Sequence, residues 1–126
     1  MASFNLLIAG LTGLVSIGLG AIGAHMLDPA DTQALRWLDT GLNYAGWHVA
    51  ALVALGLYMR SARMPEGWAS MASVAFSAGL VLFSGSLYAM AFGAPSAISI
   101  LTPIGGVAFM LGWLIVILWA LLGRRS

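Results

Sequence analysis

The chain has 126 residues with only nine formally charged side chains, five basic and four acidic, a net charge of +1 and no cysteine. With 7% charged and 61% apolar residues and a mean hydropathy of +0.98, it departs from soluble domains, which have roughly a quarter charged and about half apolar residues. No basic stripe exists to neutralise phosphates, which argues against a nucleic-acid partner. The lack of cysteine removes disulfides, thiolate metal sites and thiol catalysis together.

The charges fall in three short clusters: Asp28, Asp31, Arg36 and Asp39; then Arg60, Arg63 and Glu66; then Arg124 and Arg125. Between them lie apolar stretches long enough to cross a bilayer core, which takes ~20 helical residues. The charge map predicts a single all-α domain over 1–126, a polytopic membrane protein built as an up-down bundle of four transmembrane helices. The first span covers about 4–27. It lacks the basic n-region and the short apolar run of a cleavable signal, so it is expected to be a permanent helix. Asp28-Pro29 then supplies a stop and restart, since Asp caps a helix and Pro fits its first turn. Asp31 follows three positions later, as in a capping box. Residues 29–40, with Trp37 between Leu35 and Leu38, are expected to form a short outer interfacial helix closed by Gly41, because Trp favours the interface.

The second span is expected over about 42–59, ending at Arg60, and Pro65 breaks the following loop. The third covers about 68–92. Gly93, Pro95 and Ser96 make an uncharged turn, and the fourth span runs over about 98–123. With four spans, both termini and the Arg60–Glu66 loop share one side, which carries Arg60, Arg63, Arg124 and Arg125. The other side has only Arg36 among three Asp. The positive-inside rule therefore predicts cytoplasmic termini.

Small residues at four-residue spacing mark close helix packing, which in lipid proceeds through Gly, Ala and Ser. They include Ser16, Gly20 and Ala24 in the first span, Gly46, Ala50 and Ala54 in the second, and Gly85, Ala89 and Gly93 in the third. These faces also suit self-association or contact with other membrane subunits, beside the lipid bilayer itself.

No Asp, Glu, Lys or Arg lies at membrane depth, which argues against a drug/proton antiporter, since such pumps need a buried group that titrates. The polar residues that remain gather near the outer ends of the helices. They are His25 on the first span, Tyr44 and His48 one turn apart on the second, Ser84, Ser86 and Tyr88 on the third, and Thr102 next to Pro103 on the fourth. The spacing predicts one hydrogen-bonded cluster near the outer face, with His25 and His48 joined to Ser84, Tyr88 and Thr102. Three readings stay open. The side chains bridge helices, which in membranes is worth ~0.6 kcal/mol per bond; they line a small outward-facing pocket; or His25 and His48, with Met26 or Met90, hold a metal or haem. No nucleophile has an adjacent base in sequence, so no catalytic residues and no cofactor are expected. The function class that fits is a non-enzymatic binding module or accessory subunit. The alternative is a small oligomeric transporter or channel with the polar cluster as its vestibule.

The same residues carry a resemblance. Gly20-Ala21-Ile22-Gly23-Ala24-His25 resembles the GAxGAH signature of the YgdD/YwdK family of small four-helix membrane proteins, a domain-of-unknown-function group. Trp37, Thr40, Tyr44 and His48 match its W-x-x-T-x-x-x-Y-x-x-x-H stretch. Phe83-Ser84-Gly85-Ser86-Leu87-Tyr88 and Thr102-Pro103-Ile104-Gly105-Gly106, followed by Gly112-Trp113, match two more of its stretches in order. The resemblance implies four helices and membrane residence, and it implies no activity.

Overall fold

The computed structural model describes residues 1–61 and 67–123. Arg63, Pro65, Glu66, Arg124 and Arg125 lie outside the described residues, with the loop and terminal charges expected there. Four helical rods are long and apolar enough to cross a membrane. The first is α1 (Ala2–Met26), the second α2 (Thr32–Ser61). The third rod is α3 (Gly67–Gly79), a π-turn (Leu80–Ser84) and α4 (Gly85–Ala91) in line, and the fourth is a 3-10 turn (Ser96–Ile100) leading into α5 (Leu101–Leu122). The rods run up-down-up-down. One end of the bundle, called the terminal end, carries the start of α1 at Ala2 and the end of α5 at Leu122; the other, the acidic end, carries Asp28, Asp31 and Asp39.

The separate interfacial helix expected over 29–40 is absent: from Thr32 onward this segment is the start of α2, a continuous helix of 30 residues. Gly41 does not break it. A glycine costs a helix interior about 1 kcal/mol, but here the Tyr88 ring covers it so closely that a Cβ would meet the ring at 3.0 Å or less. Ala34 and Leu38 are likewise buried against the bundle. At ~1.5 Å per residue, thirty residues make a rod of ~45 Å, the full thickness of a bilayer with its headgroups. The stretch Thr32–Thr40 thus extends α2 beyond the length that the hydrocarbon core alone requires. The cap also moves. Asp31, not Asp28, caps α2, its Oδ1 accepting the Ala34 N–H at 3.1 Å. Asp28 instead accepts the Ala30 N–H at 2.9 Å and closes the turn over Pro29.

The third rod ends at Gly93, whose φ of +104° suits only a residue without a Cβ. There the Ala94 N–H reaches back to the Ala89 carbonyl at 2.9 Å and the Gly93 N–H to Met90 at 3.2 Å, the paired bonds of a Schellman ending. Midway, the Gly85 N–H donates to the Leu80 carbonyl five residues back, so one turn is a residue wider than α. Gly105 of α5 presses against that turn, and a Cβ on it would run into the backbone of Leu82 and Phe83. Below it, Gly79 lies under the Phe109 ring and Gly112 under the Phe76 ring. The third and fourth rods are thus locked by aromatic rings seated on glycines.

These contacts set a graded expectation. Gly105→Ala forces a methyl into backbone and should destabilise the bundle by about 2 kcal/mol or more. Gly106→Ala, whose Cβ would meet only the Phe83 ring at an ordinary 3.7 Å, should be neutral. SDS-induced unfolding in mixed micelles compares the two, and equal midpoints would refute the close approach.

Candidate functional site

His48 is enclosed in the middle of α2, 2% exposed, with only Ser84 among the expected residues lower at 1%. Its Nδ1 lies 2.7 Å from the Tyr44 carbonyl oxygen. A carbonyl only accepts, so Nδ1 carries the proton and Nε2 presents a lone pair. The indole N–H of Trp113 donates into that lone pair at 3.0 Å. The imidazole also stacks on Phe109, centroids 3.6 Å apart, and meets the edge of Phe76 at 5.2 Å. Both nitrogens are engaged and the ring is held in one tautomer, with a helix-to-helix bond from α2 to α5.

The other expected residues divide into separate pairs and do not form one cluster. Ser84 donates to the Gly41 carbonyl at 3.0 Å, tying the third rod to α2. Ser86 donates to the Phe83 carbonyl at 2.9 Å. Its contact with Thr102 at 2.6 Å is therefore made by the Thr102 hydroxyl as donor, and it ties the third rod to α5. Tyr88 pairs with Ser16 of α1 at 2.8 Å. His25 is exposed in the last turn of α1 and joins none of these. The geometric reason is angular. Ser84 and Tyr88 are four residues apart and share a face, whereas Ser86 points to the other side of the same helix, so the three cannot meet at one point.

Among the described residues no group of three or more His, Cys, Asp or Glu side chains converges. The His25–His48 pair expected in the metal reading is not formed, since one ring is buried and bonded and the other lies at the surface. The Ser84 and Ser86 hydroxyls point at backbone carbonyls and the His48 lone pair at an indole, so neither serine is poised against a base.

Beside His48, α2 and α5 leave an open groove of about 380 Å³. Tyr44, Trp47, Phe83, Pro103, Gly106 and Met110 line it, together with His48 and Trp113. The Tyr44 ring lies 4.8 Å from Phe83 and 6.1 Å from Trp47. Gly106 opens the wall, and Trp47 and Met110 are 65% and 73% exposed. Sequence reasoning reached Tyr44 and His48 but missed the partners Phe109 and Trp113. The available signal was their four-residue spacing on α5, a second aromatic pair matching Tyr44 and His48 on α2.

A second polar spot lies toward the terminal end. Asn5, fully buried in α1, donates from Nδ2 to Ser73 at 2.6 Å and to the Met59 sulfur at 3.7 Å. Ser73 passes its own proton to the Ala69 carbonyl at 2.7 Å, which fixes the Asn5 amide with nitrogen toward Ser73. Asn5 Oδ1 and Ser77 Oγ are buried with no partner among the described residues.

The comparisons with known proteins agree with this architecture. Residues 19–106 match the family model described as "Protein of unknown function (DUF423)". The chain belongs to the DUF423 family. That match takes in the His25 motif, all of α2 and the third rod, and it ends on the groove glycine Gly106. The chain is 41% identical over 115 residues to a UPF0382 membrane protein of Haemophilus influenzae, covering 90% of each. It is 36% identical over 124 residues to the UPF0382 inner membrane protein YgdD of Escherichia coli, 98% of this chain and 93% of that one. It is 32% identical over 116 residues to the UPF0382 membrane protein YwdK of Bacillus subtilis, 91% of this chain and 94% of that one. No solved structure matches. This DUF423 chain is an integral membrane protein.

The His48–Trp113 bond makes a measurable claim. His48→Ala removes a packed ring and leaves a donor unpaired, at about 2–4 kcal/mol. Trp113→Phe removes one membrane hydrogen bond but keeps most of the packing, at about 1 kcal/mol. Unfolding in SDS should rank them in that order, and a His48→Ala protein as resistant as the parent would exclude the bond as a helix clasp.

Proposed function

We propose that this protein is a non-catalytic binding module of the inner membrane whose ligand site is the groove between α2 and α5. One observation carries the reading. His48, Ser84, Ser86, Tyr88 and Thr102 are all engaged inside the bundle, whereas the groove beside them is open, aromatic and turned outward. Its volume falls in the ~300–1,000 Å³ range of small-molecule sites. Among the described residues the bundle walls are closed by glycine–ring contacts, which lends no support to the transporter or channel alternative. Native mass spectrometry of the protein gently extracted from membranes should retain an apolar adduct that Gly106→Leu, which fills the groove, removes. Reconstituted vesicles should show no ion flux above protein-free controls. An adduct indifferent to Gly106→Leu, or a clear flux, would overturn the reading.

The orientation follows the charge distribution. Arg60 lies at the terminal end, and the sequence adds Arg63, Arg124 and Arg125 beside that end, against Arg36 among three Asp at the other. Lys and Arg near span ends favour the cytoplasm, which supports cytoplasmic termini. A Ser61→Cys protein in intact cells should resist membrane-impermeant thiol reagents and react after permeabilisation. Labelling from outside alone would invert the topology.

A further inference from the structure

The groove and the end of α2 above it together describe a particular ligand. This step rests on the groove reading given above and adds the identity of the occupant. Along α5 the groove runs from Pro103 to Trp113. Ten residues of helix cover ~15 Å, half of a hydrocarbon core ~30 Å thick. A partner helix crossing the bilayer would need a seat running through both leaflets. A slot of one leaflet's depth fits a single acyl chain.

The headgroup end is equally defined. Trp47, on the groove wall, lies eleven residues below Arg36 on α2, about three turns, so the two share one side of the helix ~16 Å apart. That rise puts the guanidinium in the headgroup layer above the slot. Arg36 and Asp39 are both exposed and are neighbours on the helix surface at i,i+3, ~5–6 Å apart. A cation and an anion at that spacing complement a headgroup whose phosphate and ammonium are separated by two carbons. The surroundings select further. Asp28, Asp31 and Asp39 outnumber Arg36 at this end, a field that repels an anionic lipid and tolerates a zwitterion.

We infer that the α2–α5 groove seats one acyl chain of a bilayer phosphatidylethanolamine, its phosphate on Arg36 and its ammonium on Asp39. Trp47 and Tyr44 flank the upper chain, and Met110 and Trp113 meet its lower part. Gly106 is the residue whose missing side chain keeps the slot open.

The test uses the full-length protein reconstituted in vesicles of equal parts phosphatidylethanolamine and phosphatidylglycerol, then released for native mass spectrometry. One phosphatidylethanolamine should be retained per chain in preference to phosphatidylglycerol. Arg36→Gln and Asp39→Asn, both on exposed side chains, should each lower that retention up to about fivefold, the scale of an exposed ion pair. Gly106→Leu should abolish it. Met110→Trp, at an exposed position on the same wall, repeats the blockade should Gly106→Leu fail to fold. Preference for phosphatidylglycerol, or retention that ignores Arg36 and Asp39 while still responding to the groove variants, would overturn this inference and leave the groove reading standing. Retention unchanged by both groove variants would overturn both.

Discussion

The bundle depends on backbones approaching closely enough for dispersion to act, because its solvent is itself hydrocarbon. Burying leucine against leucine gains little where lipid tails are equally apolar, so cohesion must come from denser contact and from hydrogen bonds. In this chain the dense contacts pair a ring with a glycine: Phe109 on Gly79, Phe76 on Gly112, Tyr88 on Gly41. At Gly105 the approach goes one step further, helix backbone against helix backbone. Every other feature, from the widened turn in the third rod to the line of the groove, is arranged around these seats.

Hydrogen bonds then fix what dispersion alone leaves free, the rotation and register of each rod. A ring on a glycine tolerates some sliding; an indole aimed at one nitrogen of an imidazole does not. The Trp113–His48 bond, the Ser84–Gly41 bond and the Tyr88–Ser16 bond each join a different pair of rods. Unpaired, such groups would be costly in lipid, so each bond penalises the wrong register as well as rewarding the right one. The groove exists because α5 is held at two levels, by Gly105 above and His48 below, while Gly106 supplies no side chain to fill the space between.

Much of this was legible in the sequence because the bilayer imposes lengths. Charge-free stretches had to be rods, and their number and alternating direction followed. Local conformation was harder. Gly41 reads as a helix stop beside polar residues, yet a ring from another rod covers it, and tertiary contact outweighs propensity. Asp28 and Asp31 both suit a cap, and only the N–H actually reached separates them. The site was half legible. Depth singled out His48, Ser84, Ser86, Tyr88 and Thr102, but depth is one coordinate and partnership needs the angle around each axis as well. The π-turn shifts that angle for everything after Leu80, and no spacing rule signals it. Ser16 was visible only as a small packing residue.

The wide turn also changes how the third rod can move. Beyond it, α4 is a short helix whose side chains bond Ser16 of α1 and Thr102 of α5 and whose Tyr88 ring covers Gly41 of α2. A short segment bound on three sides behaves like the keystone of an arch: rotating it about its own axis breaks all three attachments together, and none can yield first. Rotation of α4 therefore strains its attachments to three rods at once, while the terminal half is joined across α1 and α3 through Asn5 and Ser73.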